Sequence, residues 1–218
     1  MNKFYNLPTP LQWGISLLLL IVGMFLFTTF MKATLPYGVL LLFPIVLPLA
    51  HFALTPLLTL LGMYKYYSPL LLVYSPNRVK YDIHMGTSFD YIWVMRWADR
   101  GVKARKKIWC YFLEGLVKIA EDIEAGKLPE TVKVEGTSYF FSPQTAQRLG
   151  FSLESPSLAY RFNLIINYVD LWWMYSFAQN RLAFPKVFDA RKAVISGKGL
   201  LAQKPHLEQL INRLQAKN

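Results

Sequence analysis

One cysteine and three histidines are present among 218 residues, and no acidic residue precedes Asp82. The lone Cys110 excludes an internal disulfide and a cysteine-based metal cluster. His51, His84 and His206 show no metal-ligand spacing with each other or with carboxylates, so no metal is expected. No low-complexity or Ser/Gly-rich linker interrupts the chain, which argues against loosely tethered domains. What the chain has in excess is apolar and basic character. It is 54% hydrophobic, with 24 Lys and Arg against 13 Asp and Glu. This excludes a disordered polypeptide and an ordinary neutral soluble domain.

Charge is distributed very unevenly. Residues 1–64 contain only Lys3 and Lys32 as formally charged side chains, so 28 and then 32 uncharged residues follow one another before Lys65. Each gap exceeds the roughly 20 apolar residues needed to cross a bilayer. Two spans are expected, at about 13–31 and 35–63. The first, 19 residues at 1.5 Å each, is about 28 Å long and has Trp13 at its edge, where an amphipathic ring prefers the interface. The second is too long to stand upright. Pro44, Pro48 and Pro56 predict either one kinked span or a span followed by a short interfacial helix.

The short connection between them implies an antiparallel transmembrane hairpin. Lys3, Lys65, Arg78 and Lys80 then lie on one side and Lys32 on the other. By the positive-inside rule both termini face the cytoplasm and the protein resides in the inner membrane. The competing reading of residues 1–34 is a cleaved signal peptide. Its weak basic start and missing small-x-small cleavage site count against it.

Residues 65–218 carry all the acids and all but two of the basic residues, and are expected to form one basic cytosolic domain. The patterning predicts an α+β or α/β unit, rich in helix with a few short strands. Leu70–Tyr74 and Lys80–Met85 read as strands joined by Ser75-Pro76-Asn77. Val102–Glu124 reads as a long amphipathic helix, since Ile108, Phe112, Leu116 and Ile119 recur every three or four residues. Glu114, Lys118 and Asp122 on another face of that helix read as solvated ion pairs. Thr131–Glu135 reads as a strand, and Ser142–Leu149 and Arg161–Asn180 as helices. A last helix is expected from about Pro205 to Leu214.

Gly86-Thr87-Ser88-Phe89 is echoed fifty residues later by Gly136-Thr137-Ser138-Tyr139. Both copies follow an expected strand, and both are expected to open a helix. Such a junction combines a tight turn, a capping hydroxyl and free amides, the elements of an anion-binding site. It also serves as a plain structural turn. Neither copy matches a P-loop or a dinucleotide fingerprint. Beside the first copy, Asp82 and His84 share a strand face, and Asp90 follows. A histidine with carboxylates and hydroxyls suits acid–base or nucleophilic catalysis; a histidine that satisfies a backbone carbonyl is the structural alternative. The spacing His84-x5-Asp90 differs by one residue from the His-x4-Asp pattern of glycerolipid acyltransferases and carries no assignment to them.

Two further features stand out. Arg96, Arg100, Lys103, Arg105, Lys106 and Lys107 crowd into twelve residues with only Asp99 as counter-charge, flanked by Trp93, Trp97 and Trp109. Beside a membrane hairpin this patch predicts contact with anionic lipid headgroups, at about 1 kcal/mol per charge; nucleic acid is the rival partner, and a solvated helix start is the structural alternative. Asn163, Asn167 and Asp170 form a polar stripe on an otherwise apolar helix. A buried Asp170 needs a partner there, in a structural network or a site.

These readings point first to a membrane-anchored, non-enzymatic interaction or regulatory protein whose basic domain faces lipid, with room for a protein partner. The alternative is a membrane-associated enzyme acting on a phosphorylated or lipid-linked substrate at the Gly-Thr-Ser junctions. No cofactor is implied by any motif.

Overall fold

A computed structural model describes residues 2–34, 43–137 and 142–216. Expectations for 35–42, and for Ser138 and Tyr139 in the second Gly-Thr-Ser copy, lie outside the described residues. The molecule is helix-rich and built on one mixed six-stranded sheet, as an α+β reading requires.

A single 3-10 turn, Lys3–Asn6, leads into helix α1, Thr9–Thr34. Its stretch Thr9–Lys32 is the one segment among the described residues that is long and apolar enough to cross a membrane. Almost none of it is buried by the rest of the protein. By length and composition a signal sequence passes the same test.

Helix α2, Phe43–Leu60, corrects the expected pair of spans. Its apolar run Val46–Leu60 is too short to count as a second span. Its C-terminal half belongs to the globular part instead: Ala53 and Thr55 are buried, and the helix packs against α1 and also against elements that follow it. Helix α2 meets two demands, contact with α1 and burial in the tertiary core, which composition alone does not separate. Pro48 and Pro56 lie within this helix.

The sheet follows: β1 Tyr64–Ser68, β2 Leu71–Tyr74, β3 Lys80–Met85, β4 Lys133–Thr137, β5 Ser152–Glu154 and β6 Lys192–Ser196, in spatial order β1-β2-β3-β4-β6-β5. The expected hairpin β2–β3 is present, with Val73 opposite Ile83. The parallel pair is β3 with β4, with Asp82 opposite Glu135 and Ile83 opposite Gly136. Parallel neighbours need a long crossover, and here it contains α3, Ser88–Val94, and α4, Val102–Glu124.

One sheet face is covered by α4 and by α8, Gly197–Gln215, which pack on each other. Leu116, Ile119, Leu200 and Leu207 meet Val73, Val134 and Ile195 there, all of them buried. The α4 face was legible as a 3.6-residue period. Gly115 is needed because a Cβ would come within 2.4 Å of the Leu71 side chain, so α4 rests directly on β2. The expected local ion pairs on α4 are replaced by tertiary ones: Asp122 binds Lys65, Lys127 and the Tyr67 hydroxyl. Cys110 lies half-buried between Glu114 and Gln215. Burial first, then the Glu114 carboxylate, pushes its thiol up to about 11, so it is a poor nucleophile.

Three other expectations change. The last helix starts at Gly197, well before Pro205, which it accommodates. Gly136 and Thr137 of the second copy lie in strand β4 rather than at a helix start, and the next described helix, α5 (Pro143–Arg148), is capped by Ser142. The helix expected over 161–180 is two: α6, Leu158–Ile166, and α7, Tyr168–Gln179. They meet at Asn167, whose amide donates back to the Asn163 carbonyl at 2.8 Å. A side chain that competes for backbone acceptors in this way marks a helix end.

Candidate functional site

The sheet face opposite α4 and α8 is polar. Lys80, Asp82 and His84 alternate along β3, and Glu135 and Thr137 along β4, as the period of two requires. Buried Glu135 is bracketed by Lys80 at 2.5 Å and Lys192 at 2.7 Å. His84 Nε2 lies 3.2 Å from Asp82 Oδ1, which also accepts a hydrogen bond from the Tyr160 hydroxyl of α6 at 3.1 Å. Burial works to raise the Asp82 pKa, but His84 first, then Lys80 and Tyr160, outweigh it and hold the carboxyl below its ordinary value. His84 is therefore a half-exposed imidazole backed by an ionised carboxylate, an arrangement suited to taking a proton from a hydroxyl or water.

This face opens onto a cavity of about 430 Å³ roofed by α2, α6 and α7, whose lining mixes polar groups with apolar side chains such as Leu54, Leu72, Leu171 and Met174. His84, Thr87 and Thr137 reach it from the sheet side, His51 from α2, Asn163 from α6 and Asp170 from α7. Gly86, Gly136 and Asn167 also line it. On the opposite, α4/α8 side of the sheet, Gly136 lets β4 lie close to β3, since a Cβ there would come 2.7–2.8 Å from Ile83. The Asn163, Asn167 and Asp170 stripe thus survives the helix break and faces one space. Asn167 Oδ1 is buried there with no hydrogen-bond partner among the described residues. His51 shows no motif along the chain. Only the fold brings its Nδ1 to 3.6 Å from Asp170 Oδ2.

Ser88 and Asp90 sit behind the cavity wall. Buried Ser88 donates to Asp170 Oδ1 at 2.5 Å and accepts from Trp173 Nε1 at 2.8 Å, so its hydroxyl is fully engaged. Asp90 is completely buried. It accepts from the Tyr66 hydroxyl at 2.8 Å, from Asn2 Nδ2 at 3.1 Å, and from the Thr87 amide and hydroxyl at 2.9 and 3.1 Å. Burial pushes its pKa up to about 6 despite those donors. The amide that an anion would use at Gly86-Thr87-Ser88 is therefore occupied by an internal carboxyl.

No Lys or Arg lines the cavity among the described residues. Arg96, Arg100, Lys103 and Arg105 are exposed around the start of α4, Lys106 is half-buried, and Lys107 pairs with Asp99; all lie away from the cavity. Arg100 stacks over the exposed Trp97 ring at 5.3 Å. A third glycine-rich turn, Gly197-Lys198-Gly199, opens α8. Its amides donate to the carbonyls of Val132 and Glu130 and to Ser196 Oγ, leaving none for a phosphate. Among the described residues no His, Cys, Asp and Glu group could hold a metal.

No family model, curated protein or solved structure matches this chain.

Proposed function

We propose that the chain is a membrane-anchored enzyme that binds a small polar group in the cavity between the sheet and α2, α6 and α7, with His84 as its acid–base residue. The convergence carries this reading. His51, His84, Thr87, Thr137, Asn163 and Asp170 come from six different elements or junctions and line one cavity. A pocket with a few inward polar groups is the usual form of a small-molecule site. Asp82 orients His84, and Tyr160 holds Asp82. Asp170 and the open Asn167 Oδ1 offer acceptors to ligand hydroxyl or amine protons. The missing cations and the occupied Thr87 amide favour a neutral or cationic group over a phosphate.

Insertion of α1 into the bilayer rests on its apolar length, and the cytoplasmic side on the charge asymmetry of the sequence; the chain enters and leaves on one side, with α2 packed beside α1 on the way back. Anchoring is supported by the packing of Asn2, Phe4 and Tyr5, which precede α1 and are buried in the globular part. Cleavage after a signal sequence would strip that packing away. Near the root of α2, Ile92 and Trp93 on α3 and Phe162 and Ile165 on α6 stay exposed, as an interfacial surface requires. The exposed Arg96, Arg100, Lys103 and Arg105 support a second, non-enzymatic role for the same molecule, contact with anionic lipid headgroups.

Small-molecule extracts of the detergent-solubilised full chain test the site. We expect a species enriched with the parent protein and depleted about tenfold, or about 1.4 kcal/mol, in Asp170→Asn. His84→Gln is expected to retain that species but to abolish its turnover. Identical extracts from parent and both variants would overturn the proposal.

A further inference from the structure

A second cavity, of about 330 Å³, lies between α1 and α2. Its walls are wholly apolar: Leu20, Met24 and Phe27 on α1 face Leu49 and Ala50 on α2. The helices come close at Gly23 and Ala53, where a Cβ on glycine would stand 3.2 Å from the alanine methyl. The lining on α1 runs from Leu20 to Phe30, about 15 Å of helix at 1.5 Å per residue.

This groove and the polar cavity share one wall. Leu54 lines both, while Ala50 and Ala53 face the groove and His51, one turn from Leu54, faces the polar side. From the polar cavity, a ligand thus meets His51 and Asp170 and then, past Leu54, a surface with no hydrogen-bonding side chain. An apolar groove of this kind accepts hydrocarbon and disfavours polar groups.

We infer that the substrate is an amphiphilic lipid drawn from the bilayer, its hydroxyl- or amine-bearing head in the polar cavity and one acyl chain in the α1–α2 groove. This deepens the proposed function and rests on the polar cavity being the ligand site. The occupant of the groove is an acyl chain of that same molecule. Leu54, common to both linings, sets the groove next to the head pocket, and the lack of basic side chains in both linings among the described residues counts against a head held as a phosphate.

The test uses the full chain in amphipol, titrated with monododecanoylglycerol, glycerol and dodecyl phosphate and read by native mass spectrometry. Monododecanoylglycerol is expected to bind the parent, with glycerol and dodecyl phosphate at least about tenfold weaker. Ala50→Phe, which fills the groove, and Asp170→Asn, which alters the head pocket, are each expected to weaken it about tenfold. Leu49→Trp replaces Ala50→Phe if the latter does not fold. Should glycerol bind as well as its ester, with only Asp170→Asn mattering, the acyl assignment is overturned and the polar site stands. Should only the groove variants matter, the head assignment and the proposed function fall together. Preference for dodecyl phosphate would overturn the choice of head group.

Discussion

Asp90 shows how much a single buried carboxyl organises. It joins the chain start through Asn2, the first strand through Tyr66, and the α3 cap through Thr87. Its pKa is 3.8 in an ordinary setting and about 6 when folded. Between those values the folded protein holds a proton that the unfolded chain has released, so stability falls as pH rises through that window. Asp82, Asp99 and Asp122, whose pKa values are lowered, act in the opposite sense and only at more acid pH. Thermal melts of the full chain in detergent should therefore show a decline between pH of about 4 and about 6.5, worth about 1–3 kcal/mol. Asp90→Asn should remove that decline, and an unchanged slope would refute the assignment. From sequence, Asp90 read as a catalytic candidate because it stands near His84. Adjacency along the chain does not reveal that its oxygens turn inward to Asn2, a residue 88 positions away.

At the scale of elements, two glycines show where backbone proximity matters. Gly115→Ala would drive a methyl into Leu71 and lift α4 from β2. It should cost about 1–3 kcal/mol by denaturant titration. Gly136→Ala meets both the side chain and carbonyl of Ile83, and should push β4 from β3 and lower stability. An unchanged denaturation midpoint would show that the β3–β4 junction tolerates the methyl. The strands β2 and β3 and the helix α4 were legible because turn residues and a regular apolar period bound them. Strands β1, β5 and β6 were not: β5 is only three residues long, and β6 is placed beside β4 by pairing between segments distant in sequence. The α6–α7 break was hidden because the apolar and polar stripes continue through Asn167.

For the whole molecule, the residues before α1 are structural. Phe4 is fully buried against Phe89, with ring centroids 5.1 Å apart. Phe4→Ala should destabilise the globular part by about 3–5 kcal/mol, seen as a lowered melting temperature although the residue precedes the apolar helix. An unaffected melt would mean that the N-terminal segment is dispensable. The full chain should also stay in the membrane pellet after alkaline wash, and its N-terminal peptide should be recovered intact by mass spectrometry. Sequence patterning alone determined that the N-terminal third is apolar and that the remainder is basic and mixed α+β, since hydropathy and periodicity are local properties. Only the tertiary structure decided that α2 turns from α1 into the core. It alone joined His51 to Asp170 and His84 to Tyr160, and filled the supposed anion site with Asp90. These depend on contacts between residues far apart in sequence, which no local pattern encodes.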